Sequence, residues 1–301
     1  MQDLSWRVKR FAAAPTPICK RPSIAYKRPH RMQGPTMTRQ GRGHRNAGRA
    51  ARPERAPDPG AALLWGAHSV EAALTNPRRK CRRLFATEAG FARVAAAASQ
   101  NGVRVERVGD DELTRRLTKD AVHQGLLLEA EALPRAGLDE VVLDAPAGQR
   151  LVVILDQVTD PHNLGAILRS SAGFGALAVV VQERHSPPLG GTVAKTASGA
   201  LDRVPVVEVV NIARTLEELK QAGFQTLGFD SEAAYEIGQC DLTGDVALVM
   251  GAEGDGLRRL VRENCDRLVR LPTAPRLPSL NVSNAAAVAL YEATRQRRAK
   301  S

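Results

Sequence analysis

The sequence predicts an α/β protein with two ordered parts: a small α/β unit, then a larger, mostly parallel, doubly wound sheet. Three observations carry this. From residue 151 onward, short apolar runs alternate with stretches of helical periodicity, the signature of repeated β-α units. Runs such as Leu151-Val152-Val153-Ile154-Leu155 have no polar alternate position, as expected of strands covered on both faces. Glycines and capping residues gather where these runs end and helices begin, which is where α/β proteins place ligands.

The chain opens on a charge asymmetry. Residues 1–60 hold fourteen Lys/Arg against three Asp/Glu and so carry the whole formal charge of +11; the rest is balanced at 29 of each sign. This stretch is rich in Arg, Pro, Gly and Ala and has no sustained period. Such a composition cannot offset chain entropy by burial, so it reads as a disordered basic leader. Lys and Arg displace counterions from phosphates, so an RNA or ribosome contact is one reading. A solvated leader, or a true start at Met32 or Met37, is the other.

Residues 61–133 are expected to form the small domain. A helix over residues 70–74 stops at Asn76-Pro77. Residues 82–87 read as a strand, and residues 89–100 as an Ala-rich helix that Asn101-Gly102 ends. Residues 103–108 alternate with period two, a half-buried strand. Residues 110–117 form a short helix with acids in its first turn, and residues 125–130 a further strand. Residues 134–150 mix Pro, Gly and Ala with apolar patches and read as an interdomain linker. The larger domain is expected over residues 151–301. Its strands are expected at 151–156, 176–181, 204–210, 224–229, 246–250 and 268–271. Its helices are expected at 164–172, 192–201, 215–222, 257–264 and 285–298.

Composition removes several function classes. Aromatics make up 4% of the chain, too few for a base-stacking platform to be the obvious device. The four cysteines are scattered without a C-x-x-C and read as reduced thiols. The six histidines show no metal-ligand spacing, so no metal is expected. No apolar run approaches the ~18 residues of a membrane span, and the expected compartment is the cytoplasm.

Three segments carry chemistry. In Asp160-Pro161-His162-Asn163-Leu164-Gly165, Asn163 reads as the cap of the next helix, whose free N–H groups suit an anion; Arg169 lies further along the same helix. Gly251-Ala252-Glu253-Gly254-Asp255-Gly256 follows a buried strand and resembles a ligand-cradling loop. Its order is not the G-x-G-x-x-G of dinucleotide sites, and Glu253 can cap a helix or bind a ligand donor. In Ser279-Leu280-Asn281-Val282-Ser283-Asn284, alternate residues share a side, and Ser283 or Asn284 is a reasonable cap for the last helix.

In this order and spacing the three segments resemble the motifs of the SpoU (TrmH-type) branch of the SPOUT RNA methyltransferases. Asn163 and Arg169 match the first motif, Gly251-Ala252-Glu253-Gly254 the second, and Ser279 to Ser283 the third. Val122-His123-Gln124-Gly125, Leu155-Asp156 with Val158-Thr159-Asp160, and Asn211 with Ala213-Arg214-Thr215 are similar to the subgroup that methylates guanosine in 23S rRNA. The resemblance implies an S-adenosylmethionine-dependent methyl transfer to a ribose 2′-OH. It implies a homodimer whose subunits share the active pocket, a C-terminal domain threaded as a deep trefoil knot, and a small domain like ribosomal protein L30e that holds RNA.

By the same resemblance the cofactor lies against Met250, Gly251, Ala252, Glu253 and Gly254, with Leu271, Ser279 and Leu280. The catalytic set is Asn163, Arg169, Glu253, Ser279 and Asn281. Arg169 either takes the hydroxyl proton or grips the neighbouring phosphate; a free guanidinium titrates above about 12, which makes a neutral Arg costly. Pro275-Arg276-Leu277-Pro278 departs from the Gly/Ser-rich approach common in relatives, stiffens that loop, and leaves the RNA target open. Large-subunit rRNA is the expected substrate and tRNA the alternative. A non-catalytic RNA-binding assembly factor with this fold is the rival function. No predicted element lies before residue 60, so a chain starting near Gly60 is expected to fold and bind S-adenosylmethionine as the full chain does. Circular dichroism and calorimetry check this, and an unfolded truncation would contradict the reading of the leader.

Overall fold

The computed structural model describes residues 61–118, 121–274, 276 and 279–300. The expected basic leader lies outside the described residues.

The first sheet contains β1 (Ala61–Trp65), β2 (Cys81–Ala86), β3 (Arg104–Arg107) and β4 (Leu126–Glu131), in the order β1-β4-β2-β3. β4 runs antiparallel to β1 and β2, while β2 and β3 are parallel. Sequence reading missed β1, a five-residue run directly after the expected leader. Pairing with β4, Leu64 opposite Leu128, gives the segment its identity. Helix α1 (Ala67–Thr75) packs on α2 (Glu88–Asn101). The ends of α2 follow local chemistry: the Thr87 hydroxyl accepts the Gly90 N–H at 3.1 Å, and Gly102 closes the helix at φ 72°. On the other face Leu113, from α3 (Asp110–Arg116), joins Phe85 and Leu127.

The second sheet holds seven strands, all parallel: β5 (Leu151–Leu155), β6 (Ala178–Gln182), β7 (Val206–Val209), β8 (Gln225–Phe229), β9 (Tyr235–Glu236), β10 (Val246–Met250) and β11 (Arg267–Arg270). Their order is β7-β6-β5-β10-β8-β11-β9. β5 and β10 are buried at every position. Leu151, Val153 and Leu155 enter one apolar cluster and Val152 and Ile154 another, so each strand feeds both faces of the sheet. Helices α4 (Pro161–Gly173), α5 (Gly191–Ala197) and α8 (Val282–Lys300) contribute to the first cluster, and α6 (Ile212–Gln221) and α7 (Arg259–Asn264) to the second.

Two helix starts correct the sequence reading. α4 begins at Pro161, with Asp160 as its cap: the Asp160 carboxylate accepts the His162 N–H at 3.0 Å, and proline fits the first helical position because it has no N–H to satisfy. Asn163 is therefore inside the first turn and is not the cap. α8 begins at Val282, with the Asn281 side chain accepting the Ser283 N–H at 2.9 Å. Asn281 thus does the capping assigned to Ser283 or Asn284.

Residues 134–150, expected as a linker, are packed against the second sheet. Ala136 bridges to Val207, residues Asp139–Leu143 make a π-helical turn, and Val142 is fully buried. The apolar patches between Pro and Gly supply this contact. Arg150 then enters β5 paired with Asp245 at 2.8 Å and stacked over Phe224. Residues 275, 277 and 278 of the segment preceding α8, which belongs to the expected knot, lie outside the described residues. Among the described residues no helix is long and apolar enough to cross a membrane.

The two sheets meet through α5 and the turn after it. Gly191 lies against the Trp65 ring, where a Cβ would come within 1.7 Å. The Ser69 hydroxyl donates to the Ala194 carbonyl at 2.8 Å. The Gln124 side-chain oxygen Oε1 accepts from the Ala67 N–H at 3.0 Å and from Lys195 Nζ at 3.2 Å. Arg79 forms a two-pronged pair with Asp202, Nε to Oδ1 at 2.8 Å and Nη2 to Oδ2 at 3.0 Å, with side chains 1% and 2% exposed. Arg79→Ala leaves that carboxylate buried without its cation. The expected loss of unfolding free energy is roughly 3–5 kcal/mol, read by urea denaturation; a loss below about 1 kcal/mol would show that the pair is not sealed from water.

Candidate active site

Parallel strands that end together make the site. The segments leaving the C-terminal ends of β8, β10 and β11, and the one leading into α8, surround a cavity of about 660 Å³. Cofactor pockets run from roughly 300 to 1,000 Å³. Between β5 and β10 the strand order reverses, and crevices at such a point are where parallel α/β sheets bind ligands.

The residues expected to hold the cofactor all line this cavity: Met250, Gly251, Ala252, Glu253 and Gly254 from the turn after β10, Leu271 after β11, and Ser279 and Leu280 before α8. Gly251 is the tightest point, where a Cβ would lie 2.2 Å from the Gly256 carbonyl carbon. Ala252 and Gly256 pair through both backbone groups at 3.1 and 3.0 Å, which closes the turn and leaves Glu253 at its tip.

Glu253, Asn163 and Asn281 come from three distant parts of the chain and form one hydrogen-bonded cluster. Asn163 Nδ2 donates to Glu253 Oε1 at 3.1 Å, and Asn281 Nδ2 donates to Asn163 Oδ1 at 3.0 Å and to Glu253 Oε1. The Asn281 amide has its orientation set from behind. Its Oδ1 accepts the Ser283 N–H at 2.9 Å and the Ser283 hydroxyl at 2.5 Å, so its NH₂ must face the carboxylate. Asn163 is 8% exposed, so its amide needs the partners it has.

On the other side of the cluster lies a smaller cavity of about 320 Å³, lined by Gln157, Thr159, Asp160, Asn163 and His185 among others. It shares Ala252, Glu253, Asp255 and Val282 with the larger one. The carboxylate at Glu253 therefore stands in the wall between two binding spaces.

Arg169 is not brought to this cluster within the chain. It is exposed on α4, lines neither cavity, and makes no hydrogen bond or ion pair with another described residue. Ser279 lines the larger cavity without joining the cluster. Sequence reasoning missed the stretch from Phe229 to Glu232, which forms another wall of that cavity. Asp230 there is held by an ion pair to Arg262. Its only signal was a position at a strand end, and that becomes a ligand signal only once β8 is known to lie beside β10. Behind β8, the Cys265 thiol is pushed up to about 12, chiefly by burial and then by the neighbouring Asp266 carboxylate, so it stays protonated and inert at neutral pH.

Comparison with known proteins places the chain among relatives. Residues 150–291 match the model of the SpoU rRNA Methylase family, and residues 63–136 match that of an RNA 2′-O ribose methyltransferase substrate-binding domain. The 23S rRNA (guanosine-2′-O-)-methyltransferase RlmB of Pseudomonas syringae pv. tomato is 43% identical over 79% of this chain and 96% of its own length. The protein of the same name from Ralstonia nicotianae is 46% identical over 78% of this chain and 96% of its own. The crystal structure of the SpoU methyltransferase AviRb from Streptomyces viridochromogenes, in complex with the cofactor AdoMet, shares the fold with a TM-score of 0.69. It has 24% identity and covers 80% of this chain and 92% of that one. Matches to both parts of the chain, and relatives aligned along nearly their whole length, show that the chain belongs to the SpoU rRNA methylase family.

Proposed function

We propose that this protein transfers a methyl group from S-adenosylmethionine to the ribose 2′-OH of a guanosine in 23S rRNA. The observation that carries the reading is the Asn163–Glu253–Asn281 cluster standing between two cavities, one of cofactor size and one smaller. The choice of guanosine and of 23S rRNA follows the named relatives.

The larger cavity suits the cofactor by its chemistry. Asp230, Glu232, Glu253 and Asp255 line it, and the two arginines there, Arg262 and Arg270, are paired with Asp230 and Glu236. This lining favours a cationic ligand. Phe229, Met250, Leu257, Leu271 and Leu280 offer apolar surface to an adenine ring. Bound there, S-adenosylmethionine supplies an electrophilic methyl on a sulfonium centre. The chain supplies position and charge. Asn163 and Asn281 hold Glu253 at the boundary and orient the ribose in the smaller cavity. Ser279 lines the cofactor side.

Arg169 serves the site of the partner subunit in a homodimer. Its exposure, its lack of a partner among the described residues, and the exposed Val288 (43%) and Tyr291 (56%) on the neighbouring α8 support an interface along α4 and α8. There the guanidinium grips the phosphate beside the reacting hydroxyl, and that phosphate or a water takes the proton. Residues 61–133 hold the RNA, residues 151–301 carry the transferase, and the protein works in the cytoplasm.

Labelled-methyl transfer to undermethylated 23S rRNA tests the reaction. Wild type is expected to modify one guanosine ribose, and Arg169→Ala and Glu253→Ala each to lose roughly 10²–10³-fold in kcat. Absence of transfer to 23S rRNA would overturn the substrate. Mixed dimers of the two variants separate the arrangements. With Arg169 acting across the interface, each mixed dimer keeps one intact site and roughly half of wild-type activity. With Arg169 acting in its own subunit, mixed dimers stay inactive.

A further inference from the structure

The turn over residues 250–257 carries Glu253 and much of the larger cavity's wall, and its inner pairing between Ala252 and Gly256 fixes only its tip. Both ends of its stem meet a single residue, Asp156. The Asp156 N–H donates to the Met250 carbonyl at 2.8 Å and continues the β5–β10 ladder one step past the strands. The Asp156 carboxylate accepts the Arg258 backbone N–H at 2.9 Å and the Arg258 guanidinium through Nε at 2.7 Å and Nη2 at 2.6 Å. One residue thus grips the chain entering the turn by its backbone and the chain leaving it by its side chain. Asp156 is fully buried, yet it lines neither cavity. The Arg258 side chain is 39% exposed and, among the described residues, bonds to nothing else. Directly after Asp156, Gln157 adopts the left-handed conformation at φ 60° and turns the chain towards the smaller cavity, whose wall it joins.

We propose that Asp156 and Arg258 are a positioning pair, a latch that sets the shape of this turn and through it the affinity of the larger cavity for its ligand. The inference rests on reading that cavity as the S-adenosylmethionine site. Charge-assisted hydrogen bonds on a buried carboxylate are strong and directional, and here they fall on the stem of a turn whose tip contacts the ligand space. Two glycines in the turn, Gly254 at φ 89° and Gly256 at φ 66°, leave it free to open once the stem is released. The pair does not touch the ligand; it acts through Met250, Gly251 and Glu253.

The test uses the full chain and compares wild type with Arg258→Ala, Arg258→Lys and Asp156→Asn. The readouts are S-adenosylmethionine affinity by calorimetry, the KM values for cofactor and RNA, and the melting temperature. Arg258→Ala keeps the backbone bond to Asp156 but leaves a buried carboxylate without its cation, so Arg258→Lys, which keeps a charge there, separates a loss of fold from a loss of the latch. The expected result is a rise of at least about tenfold in the cofactor Kd and KM for Arg258→Ala. A smaller rise is expected for Arg258→Lys, which keeps the charge, and the RNA KM is expected to change less than the cofactor KM, because only Glu253 of the turn's three working residues borders the smaller cavity. Cofactor binding equal to wild type in both Arg258 variants, whatever their melting temperatures, would overturn the latch while leaving the cavity's ligand in place. Failure of wild type itself to bind S-adenosylmethionine would overturn the reading of the cavity, and the latch with it.

Discussion

The side-by-side pairing of β5 and β10 is the constraint on which the site depends. Leu151 to Leu155 lie opposite Val246 to Met250 without a slip, although ninety residues of chain, 156–245, separate the two strands. Because the strands are parallel and in register, they end at the same height. The turns that follow them are therefore forced to face each other. Asn163 reaches Glu253 because α4 begins just past the end of β5 and the tip of the glycine turn lies just past the end of β10. A shift of one residue in this ladder would turn every buried position of a strand to the opposite face. Both faces are packed, so the side chains of each face would then have to fit the other.

Polar groups then complete what the sheet begins. A carboxylate at the tip of a glycine-rich turn has many positions open to it. Two amide donors narrow them to one, and each amide is itself constrained. Asn163 is placed by a helix start that Asp160 and Pro161 dictate, and Asn281 by its capping of α8. The capping duty matters because an amide has a donor end and an acceptor end. Committing the oxygen to Ser283 leaves the nitrogen for Glu253. Helix capping and site geometry are here one interaction, so the start of α8 cannot be altered without disturbing the carboxylate.

Much of this was legible in the sequence because its causes are local. Apolar runs without alternation mark buried strands, Gly102 marks a helix end, and the glycines around Glu253 mark a turn that a backbone must approach closely. The three motif segments could be singled out for the same reason. What was not legible depends on long-range pairing. β1 is a strand because β4 lies beside it, the stretch from Phe229 to Glu232 meets the cavity because β8 lies beside β10, and residues 134–150 are packed because the sheet offers them a face. The misplaced caps have a different origin. Asn163 and Ser283 have suitable side chains, but Asp160 and Asn281 sit where the backbone N–H groups are actually free. Composition at a helix start narrows the cap to a few residues, and the exit angle of the preceding chain decides among them.

The contact between the two sheets follows from the same economy of elements. α5 packs on α4, the helix that carries Asn163 and Arg169, and it also receives the small domain through Trp65, Ser69 and Gln124. Thr196 on α5 lies within 3.4 Å of the His162 ring in the first turn of α4, and the adjacent Lys195 reaches Gln124. Burial lowers the Lys195 pKa, and the Gln124 side-chain amide oxygen accepts from its Nζ. A displacement of the first sheet and its helices would thus either break the Arg79–Asp202 pair or pull α5 with it, and α5 can follow only by moving against α4. Close packing transmits such a shift instead of absorbing it. The first sheet thus reaches the helix that carries Asn163 through packed contacts, although no residue of that sheet lines either cavity.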